Sequence, residues 1–203
     1  MMNIFNGMKY KKLVIFLVLA VVVGLAYWAY VGWNYSNPET SSFLSVLTKP
    51  IVIYSELPEE IENKVVRQLN EYRKELLDDK TKFDYWIQLG LHFKFINDYE
   101  AASQAWEYAS LIRPGNSLSF QNLAELYGYY MQDKKSAEKN YTRALANVSG
   151  AGSWMVYRGA ADFYKVVMED EDKAISLLKE GIIADPDNAE TLKNLLTEWI
   201  LVK

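Results

Sequence analysis

The sequence contains no cysteine and only one histidine among its 203 residues. Without cysteine there is neither a disulfide framework nor a thiolate metal site, so neither stabilises this fold. Basic residues are too few for a nucleic-acid-binding protein, because 22 Lys and Arg stand against 26 Asp and Glu and the net charge is −4. Binding a polyanion requires a basic face, and we therefore expect no nucleic-acid partner.

Residues that could carry out catalysis are equally scarce. The single histidine, His92, has no partner in a catalytic motif, and a lone histidine on a helix is more often a packing or surface residue. The acidic run 169–172 lacks the spaced oxygens and the turn glycine of a helix-loop-helix calcium site, so a solvated turn is the better interpretation. The sequence thus predicts no catalytic site, no metal and no cofactor, and the chain is not expected to be an enzyme.

One long apolar run is present near the N-terminus. Residues 13–33 carry no charged side chain, and a helix needs about 20 such residues to cross the hydrocarbon core of a bilayer. Lysines cluster just before the run, so the positive-inside rule places residues 1–12 in the cytoplasm and the chain after the run outside it. We interpret the run as a signal-anchor helix; the alternative is a cleaved signal peptide, with Gly24 and Ala26 before the cut.

A pattern of large and small residues recurs three times in the second half of the chain and begins a fourth time. Its order is W-x₂-L-G-x₂-Y, then A-x₃-F-x₂-A, then a proline, with related residues at several positions. The copies are Trp86, Leu89, Gly90, Phe93, Ala102, Trp106, Ala109 and Pro114; Phe120, Leu123, Ala124, Tyr127, Ala137, Tyr141 and Ala144; Tyr157, Ala160, Ala161, Tyr164, Ala174, Leu178, Gly181 and Pro186; and the half copy Leu192, Leu195, Leu196 and Trp199. First positions are 34, 37 and 35 residues apart, and we place the added residues in turns.

This spacing predicts pairs of helices that fold back on each other. Small residues lie where two backbones approach, such as Gly90 on the first helix and Ala102 on the second helix of the first copy. Since one pair cannot bury its own apolar face, several pairs must stack. In these features the chain resembles the tetratricopeptide repeat (TPR) family. The resemblance implies an all-α fold, a superhelix of three helical hairpins plus a C-terminal capping helix, preceded here by a transmembrane helix.

The resemblance covers residues 83–203. Its parts are repeats at about 83–116, 117–153 and 154–188 and a capping helix at 189–203. Residues 58–82 are predicted to form an amphipathic N-terminal capping helix that begins at a proline and carries apolar side chains at helical spacing. Residues 34–57 are predicted to be a linker, although 50–54 is apolar and β-branched enough to form a short extended segment that docks on the repeats.

Partners of this family usually bind in an inner groove lined by the first helix of each repeat. The resemblance implies that this groove contains Ile87, Gln121, Asn122, Glu125, Tyr129, Met155, Arg158 and Asp162. One branch of the family holds carboxylates with a clamp of Lys, Asn and Arg, but here only Asn122 matches that clamp. The mixture of aromatic, apolar and singly charged side chains suits an extended peptide or a partner helix instead.

These features predict a membrane-anchored protein–protein interaction scaffold or assembly factor, with the repeats outside the cytoplasm and another protein as the partner. The layout is similar to that of bacterial single-span proteins that assist envelope biogenesis, but residues 1–82 carry no family motif, so that role rests on analogy. The alternative is a structural module that self-assembles into a homo-oligomer without a peptide ligand. A third class, an enzyme with a dispersed acidic site, lacks a recognisable set of nucleophile, base and orienting residue.

Overall fold

A computed structural model of the chain describes residues 24–25 and 43–201. The chain divides into two units, residues 1–42 and residues 43–203. The predicted transmembrane helix at 13–33 lies, apart from two residues, outside the described part of the chain. Among the described residues, no helix is both long and apolar enough to cross a membrane.

Residues 43–201 are all-helical, and no strand occurs in that range. The α-helices are α1 (Glu59–Asp78), α2 (Phe83–Phe95), α3 (Tyr99–Ile112), α4 (Ser117–Glu125), α5 (Lys134–Asn147), α6 (Ser153–Val166), α7 (Glu171–Ala184) and α8 (Glu190–Leu201). A π-helical turn, Leu126–Tyr130, continues α4. The all-α class predicted from the sequence is confirmed for this range.

The helices pack mainly on their neighbours in the sequence. The most extensive contacts join α2 to α3, α4 to α5 and α6 to α7. When the π-helical turn is counted as the end of α4, three or four residues connect the two helices of each pair, so each pair is a helical hairpin. In addition, α1 packs on α2 and α8 packs on α7, so a further helix covers the first and the last hairpin.

Small residues of the repeat pattern lie where the helices cross. The Nε1 atom of Trp106 donates a hydrogen bond to the carbonyl oxygen of Ile87 at 3.1 Å, and the indole lies against Gly90. A methyl group on Gly90 would lie 2.3 Å from that nitrogen, so only glycine fits there. The alanines at the other close approaches are fully buried: Ala102, Ala124, Ala137, Ala161 and Ala174. The repeated pattern therefore corresponds to the buried faces of the hairpins.

The same kind of turn joins the two helices of every hairpin. One residue has a left-handed backbone with φ between 57° and 62°. The next is an aspartate whose side chain accepts a hydrogen bond from the N–H group three residues later, which satisfies one of the free N–H groups at the helix start. The pairs are Asn97 and Asp98, Gln132 and Asp133, and Glu169 and Asp170. The acidic run 169–172 thus forms the last of these turns and the start of α7.

One of the three residues added to the second copy, and the one residue added to the third, lie at the end of the first helix. The other two residues of the second copy lie in the turn 148–152 between α5 and α6. In the first hairpin, the N–H of Asp98 donates to the carbonyl oxygen of Phe93, five residues back. In the second hairpin, the N–H of Asp133 reaches six residues back to Tyr127, and the third hairpin repeats this spacing. The extra residue therefore widens the last helical turn, and in the second hairpin the result is the π-helical turn.

Residues 43–57, the C-terminal part of the predicted linker, pack against α1 and the first hairpin. Val46 and Leu47 are buried. The N–H of Tyr54 donates to the carbonyl oxygen of Ile96 at 2.9 Å, so the segment predicted to dock on the repeats contacts the end of α2. The helical unit accordingly begins at residue 43.

Candidate functional site

A surface cleft of about 360 Å³ extends across the first helices of all three hairpins. The lining residues are Lys94 from α2; Glu125, Tyr129 and Tyr130 from α4 and its π-helical turn; Gly159 and Asp162 from α6; and Tyr141 from α5. Each hairpin therefore contributes at least one side chain to the cleft. Ligand pockets commonly lie between helices in this way, with a few polar groups among apolar walls.

Two carboxylates and two cations surround the cleft. The Nζ atom of Lys94 lies 3.8 Å from Oε2 of Glu125, and Nε of Arg158 lies 3.7 Å from Oδ2 of Asp162. Both distances exceed the length of a hydrogen bond, so each pair interacts by the attraction of opposite charges and not by a hydrogen bond. Gln121 donates from Nε2 to Oε1 of Glu125 at 3.2 Å. The carboxylate oxygens therefore retain capacity to accept further hydrogen bonds.

Aromatic side chains form one wall of the cleft. Tyr129 and Tyr130 are 40% and 46% exposed and belong to the π-helical turn. The Nζ atom of Lys94 lies 4.6 Å from the centroid of the Tyr130 ring, within the range of a cation–π interaction. The other neighbour of Tyr130 is Tyr99, whose ring centroid lies 5.2 Å away. The wall can thus interact with an ammonium group as well as with apolar atoms.

Tyr141 is fully buried, and its hydroxyl has no hydrogen-bond partner among the described residues although Tyr141 lines the cleft. The ring packs on Phe163, with the two centroids 5.1 Å apart. The hydroxyl lies opposite Gly159, because a methyl group on that glycine would be 3.5 Å from the oxygen. Burying a hydroxyl without a partner costs about 1–3 kcal/mol, so this position is where a ligand would recover a lost hydrogen bond.

Acidic groups around the cleft have altered pKa values. Burial raises the pKa of the Asp162 carboxyl above its ordinary value. Burial also raises the pKa of Tyr129 to about 12, and the carboxylates of Asp162 and Glu125 add to the increase. The pKa of Tyr141 is raised by burial and then by Glu125. Each shift means that negative charge is poorly stabilised in this cleft, so an added cation would stabilise it.

The structure brings most of the residues predicted for the groove into one neighbourhood. Glu125, Tyr129 and Asp162 line the cleft. Gln121 and Arg158 each contact one of its carboxylates. These five side chains come from α4, its π-helical turn and α6, which are first helices of neighbouring hairpins.

The other predicted groove residues lie elsewhere. Met155 is 50% exposed and lines a second cleft, of about 280 Å³, between the second and third hairpins, which Gln121 also borders. Asn122 is half-buried and lines neither cleft. Ile87 is only 5% exposed and belongs to the core shared by α1 and the first hairpin. A partner bound at the surface therefore does not reach Ile87.

Four lining residues are not among the eight groove residues expected from the sequence: Lys94, Tyr130, Tyr141 and Gly159. The sequence does set Tyr141 apart. This tyrosine has a hydroxyl at the repeat position where the other copies have the indole of Trp106 or the aliphatic side chain of Leu178. A signal for Gly159 also exists, because a glycine inside a helix costs about 1 kcal/mol relative to alanine and is not needed here for close packing. Neither signal identifies a ligand by itself.

No protein-family model matches the chain, and a search of curated proteins finds no match. Within the part of the chain that the structure describes, no three His, Asp or Glu side chains are arranged to hold a metal ion. The cleft presents hydrogen-bonding, charged and aromatic groups. Proteins recognise segments of other proteins through such groups.

Proposed function

We propose that this protein is a membrane-anchored scaffold of the TPR class that binds a segment of another protein in the cleft between its hairpins. The observation that carries the proposal is the cleft itself, which draws side chains from all three hairpins. It presents Tyr129 and Tyr130 beside charged groups. Tyrosine and arginine are the residue types most often found as binding anchors, and Arg158 lies at the edge beside Asp162.

Burial of the repeat pattern supports assignment to the TPR class. The aromatic and leucine positions Trp86, Phe120, Leu178 and Leu192 are fully buried. Each hairpin packs on the next helix in sequence, as expected when no single repeat can bury its own apolar face. The left-handed turn and aspartate cap recur in all three hairpins, so the three copies share local structure as well as sequence pattern.

The membrane anchor in the proposal rests on the apolar run at 13–33 and on the lysines before it. This arrangement places the cleft outside the cytoplasm. A scaffold fixed at the membrane surface would act on partners that are assembled there, which is consistent with a role in envelope biogenesis. No catalytic activity is proposed.

Site-specific photocrosslinking in native membranes tests the proposal. A benzophenone amino acid is introduced at Tyr129 in the cleft or at Lys139, which is exposed on α5 outside it. We expect Tyr129 to form one discrete adduct, identified by mass spectrometry as another protein, and Lys139 to form none. Equal adducts from both positions would contradict the proposal. An adduct between two copies of this chain would instead support the self-assembling module.

A further inference from the structure

We propose that the cleft accepts a lysine side chain of the partner, whose ammonium group lies between the carboxylates of Glu125 and Asp162 and donates to the hydroxyl of Tyr141. This inference rests on the proposed function, since it specifies the chemistry of the partner segment that binds in the same cleft. Three observations carry it: an unsatisfied buried hydroxyl, two carboxylates with spare acceptor capacity, and a wall of tyrosine rings.

The buried hydroxyl is the most specific of these observations. Tyr141 is fully buried and its oxygen has no hydrogen-bond partner within residues 43–201, yet Tyr141 lines an open cleft. A phenylalanine in that position would fill the same space without the cost of an unsatisfied hydroxyl. Gly159 leaves room for a methyl group opposite the oxygen, and the amide nitrogen of Gln121 would lie 3.8 Å from that methyl group. Gln121 is partly buried and donates a hydrogen bond to Glu125 on the same helix.

The charges of the residues around the cleft indicate what kind of ligand group binds there. Asp162 accepts no hydrogen bond from a lysine anywhere in residues 43–201, and its ion pair with Arg158 is 3.7 Å long. Lys94 lines the same cleft, where it contacts Tyr130 and lies 3.8 Å from Glu125. An incoming anion would be repelled by the two carboxylates that line the cleft, whereas a cation would be attracted to both of them.

An ammonium group fits these acceptors better than a guanidinium group does. An ammonium has three donors around a compact charge, and here three acceptors come from three different helices: Glu125 on α4, Tyr141 on α5 and Asp162 on α6. A guanidinium is a planar fork that pairs best with both oxygens of one carboxylate. One oxygen of Glu125 already accepts from Gln121, and Asp162 is already approached by Arg158.

Tyrosine rings complete the site. The contact between Lys94 and Tyr130 shows that this wall takes an ammonium group on a ring face. Tyr129 is the neighbouring ring, and it is 40% exposed. The methylene stem of a lysine can pack on such rings while its charged end reaches deeper polar atoms.

A positional-scanning peptide library tests the inference with the full-length protein in detergent micelles. Each sublibrary fixes one residue type at one position, and binding is measured by fluorescence polarisation. We expect lysine to be preferred over alanine at one position by about tenfold or more, and over arginine by a smaller factor. In Gly159→Ala the added methyl group covers the Tyr141 hydroxyl, and in Tyr141→Phe the hydroxyl is absent. Both variants should lose most of the preference at that position.

The control is Gly115→Ala, in the turn before α4. Unlike the methyl group at position 159, the methyl group added there would contact nothing within 4 Å. The control variant should keep the lysine preference of the unmodified protein. A preference for lysine that is equally strong in Gly159→Ala, or peptide binding without any preference for lysine, would overturn the inference and leave peptide binding in the groove standing. Failure of the unmodified protein to bind any peptide would overturn the inference together with the proposed function.

Discussion

Gly90 and Gly159 both lie inside first helices, but their surroundings give opposite expectations for substitution. Gly90→Ala would place a methyl group 2.3 Å from Nε1 of Trp106 and disturb the hydrogen bond from that indole to Ile87. We expect a loss of about 2–4 kcal/mol in the free energy of unfolding, because the crowded indole has to move and a buried donor loses its partner. The measurement is the melting temperature of the helical circular-dichroism signal.

Gly159→Ala is the control for this experiment. Its added methyl group would lie 3.5 Å or more from every neighbour, an ordinary contact distance. The change should be neutral or stabilise the protein by up to about 1 kcal/mol, because alanine favours the helix. Similar losses at both glycines would show that the packing around Trp106 is not what requires glycine at position 90.

Protonation of Asp162 gives a second prediction at the level of one residue. Burial raises its pKa above the ordinary value of 3.8, while Arg158 and Lys165 oppose the increase. Binding of a lysine-containing peptide needs the ionised carboxyl, so affinity should fall as the pH is lowered from about 7 toward 4, beginning above the pH expected for an ordinary aspartate. The charged and titratable groups that face or act on Asp162 here are Glu125, Tyr129, Arg158 and Lys165.

Asp162→Asn separates this effect from general unfolding. The variant should bind weakly at neutral pH and should lose the part of the pH dependence that comes from this carboxyl. Because the folded-state pKa of Asp162 is higher than that of the unfolded chain, protonation of this residue favours the folded state. Unfolding driven by Asp162 therefore cannot explain a loss of binding at low pH. An unchanged pH profile in the variant would contradict the assignment.

At the level of single residues, the positions of the repeat pattern predicted part of the cleft lining. The family resemblance assigned Gln121, Glu125 and Tyr129 to one groove, and these residues, four apart along α4 and its π-helical turn, are the kind of positions that share a helix face. Burial of Ile87 could not be predicted, because it depends on packing around α2 by segments that carry no family motif. The role of Tyr141 was missed for a related reason: its position in the pattern predicts burial, and only the three-dimensional structure shows the hydroxyl without a partner.

The aspartate caps recur in every hairpin, but Asp98 has an additional role. Its carboxylate lies 3.1 Å from Nζ of Lys49 in the docked segment 43–57. It also raises the pKa of Arg73 on α1, whose pKa is lowered mainly by burial. Asp98 thus links the segment, α1 and the first hairpin through charge. Asp133, the equivalent cap of the second hairpin, is exposed.

We expect Asp98→Asn to lower the free energy of unfolding by about 3 kcal/mol, because the amide retains an oxygen for the cap but leaves two partly buried cations without a counter-charge. Asp133→Asn makes the same change at an exposed cap and should cost no more than about 1 kcal/mol. Denaturant unfolding of both variants measures the difference. Equal costs at the two positions would mean that Asp98 acts only as a cap.

The positions of helix ends could be predicted from the sequence only in part. The predicted N-terminal capping helix at 58–82 is α1, which ends at Asp78, because Asp79 accepts hydrogen bonds from both the N–H and the hydroxyl of Thr81 in a tight turn. The added residues of two copies could be counted from the spacing, but their place inside the last helical turn could not. A single extra residue is compatible with a longer turn or a wider helix, and only backbone hydrogen bonds distinguish the two.

Across the whole helical unit, α4 connects the two halves of the core. Leu123 and Leu126 belong to the core cluster of α1 and the first hairpin, whereas Ala124 belongs to the cluster of the third hairpin and α8. Tyr127 packs against both clusters. The same helix and its π-helical turn carry three residues of the cleft. The geometry of the cleft is therefore determined by the packing between hairpins, and a partner that bridges them would stabilise the stack.

Membrane topology is the remaining prediction for the whole molecule. The sequence has no cysteine, so one introduced cysteine is the only thiol that a maleimide can label. Asp187 is exposed in the short turn between α7 and α8, and Asn6 precedes the predicted anchor. A maleimide that cannot cross membranes should label Asp187→Cys in intact cells or spheroplasts, whereas Asn6→Cys should react only after lysis, because the lysines before residue 13 retain that end in the cytoplasm.

The opposite pattern would place the repeats in the cytoplasm and contradict the topology. Cleavage of a signal peptide gives a third, distinguishable result, because Asp187→Cys would be labelled on a shortened chain that is released from the membrane by a high-salt wash. An anchored chain resists such a wash, because transfer of some 20 apolar residues from lipid into water is far more costly than breaking surface charge contacts. Labelled full-length protein that remains in the membrane fraction is thus the result expected for a scaffold that presents its cleft at the membrane surface.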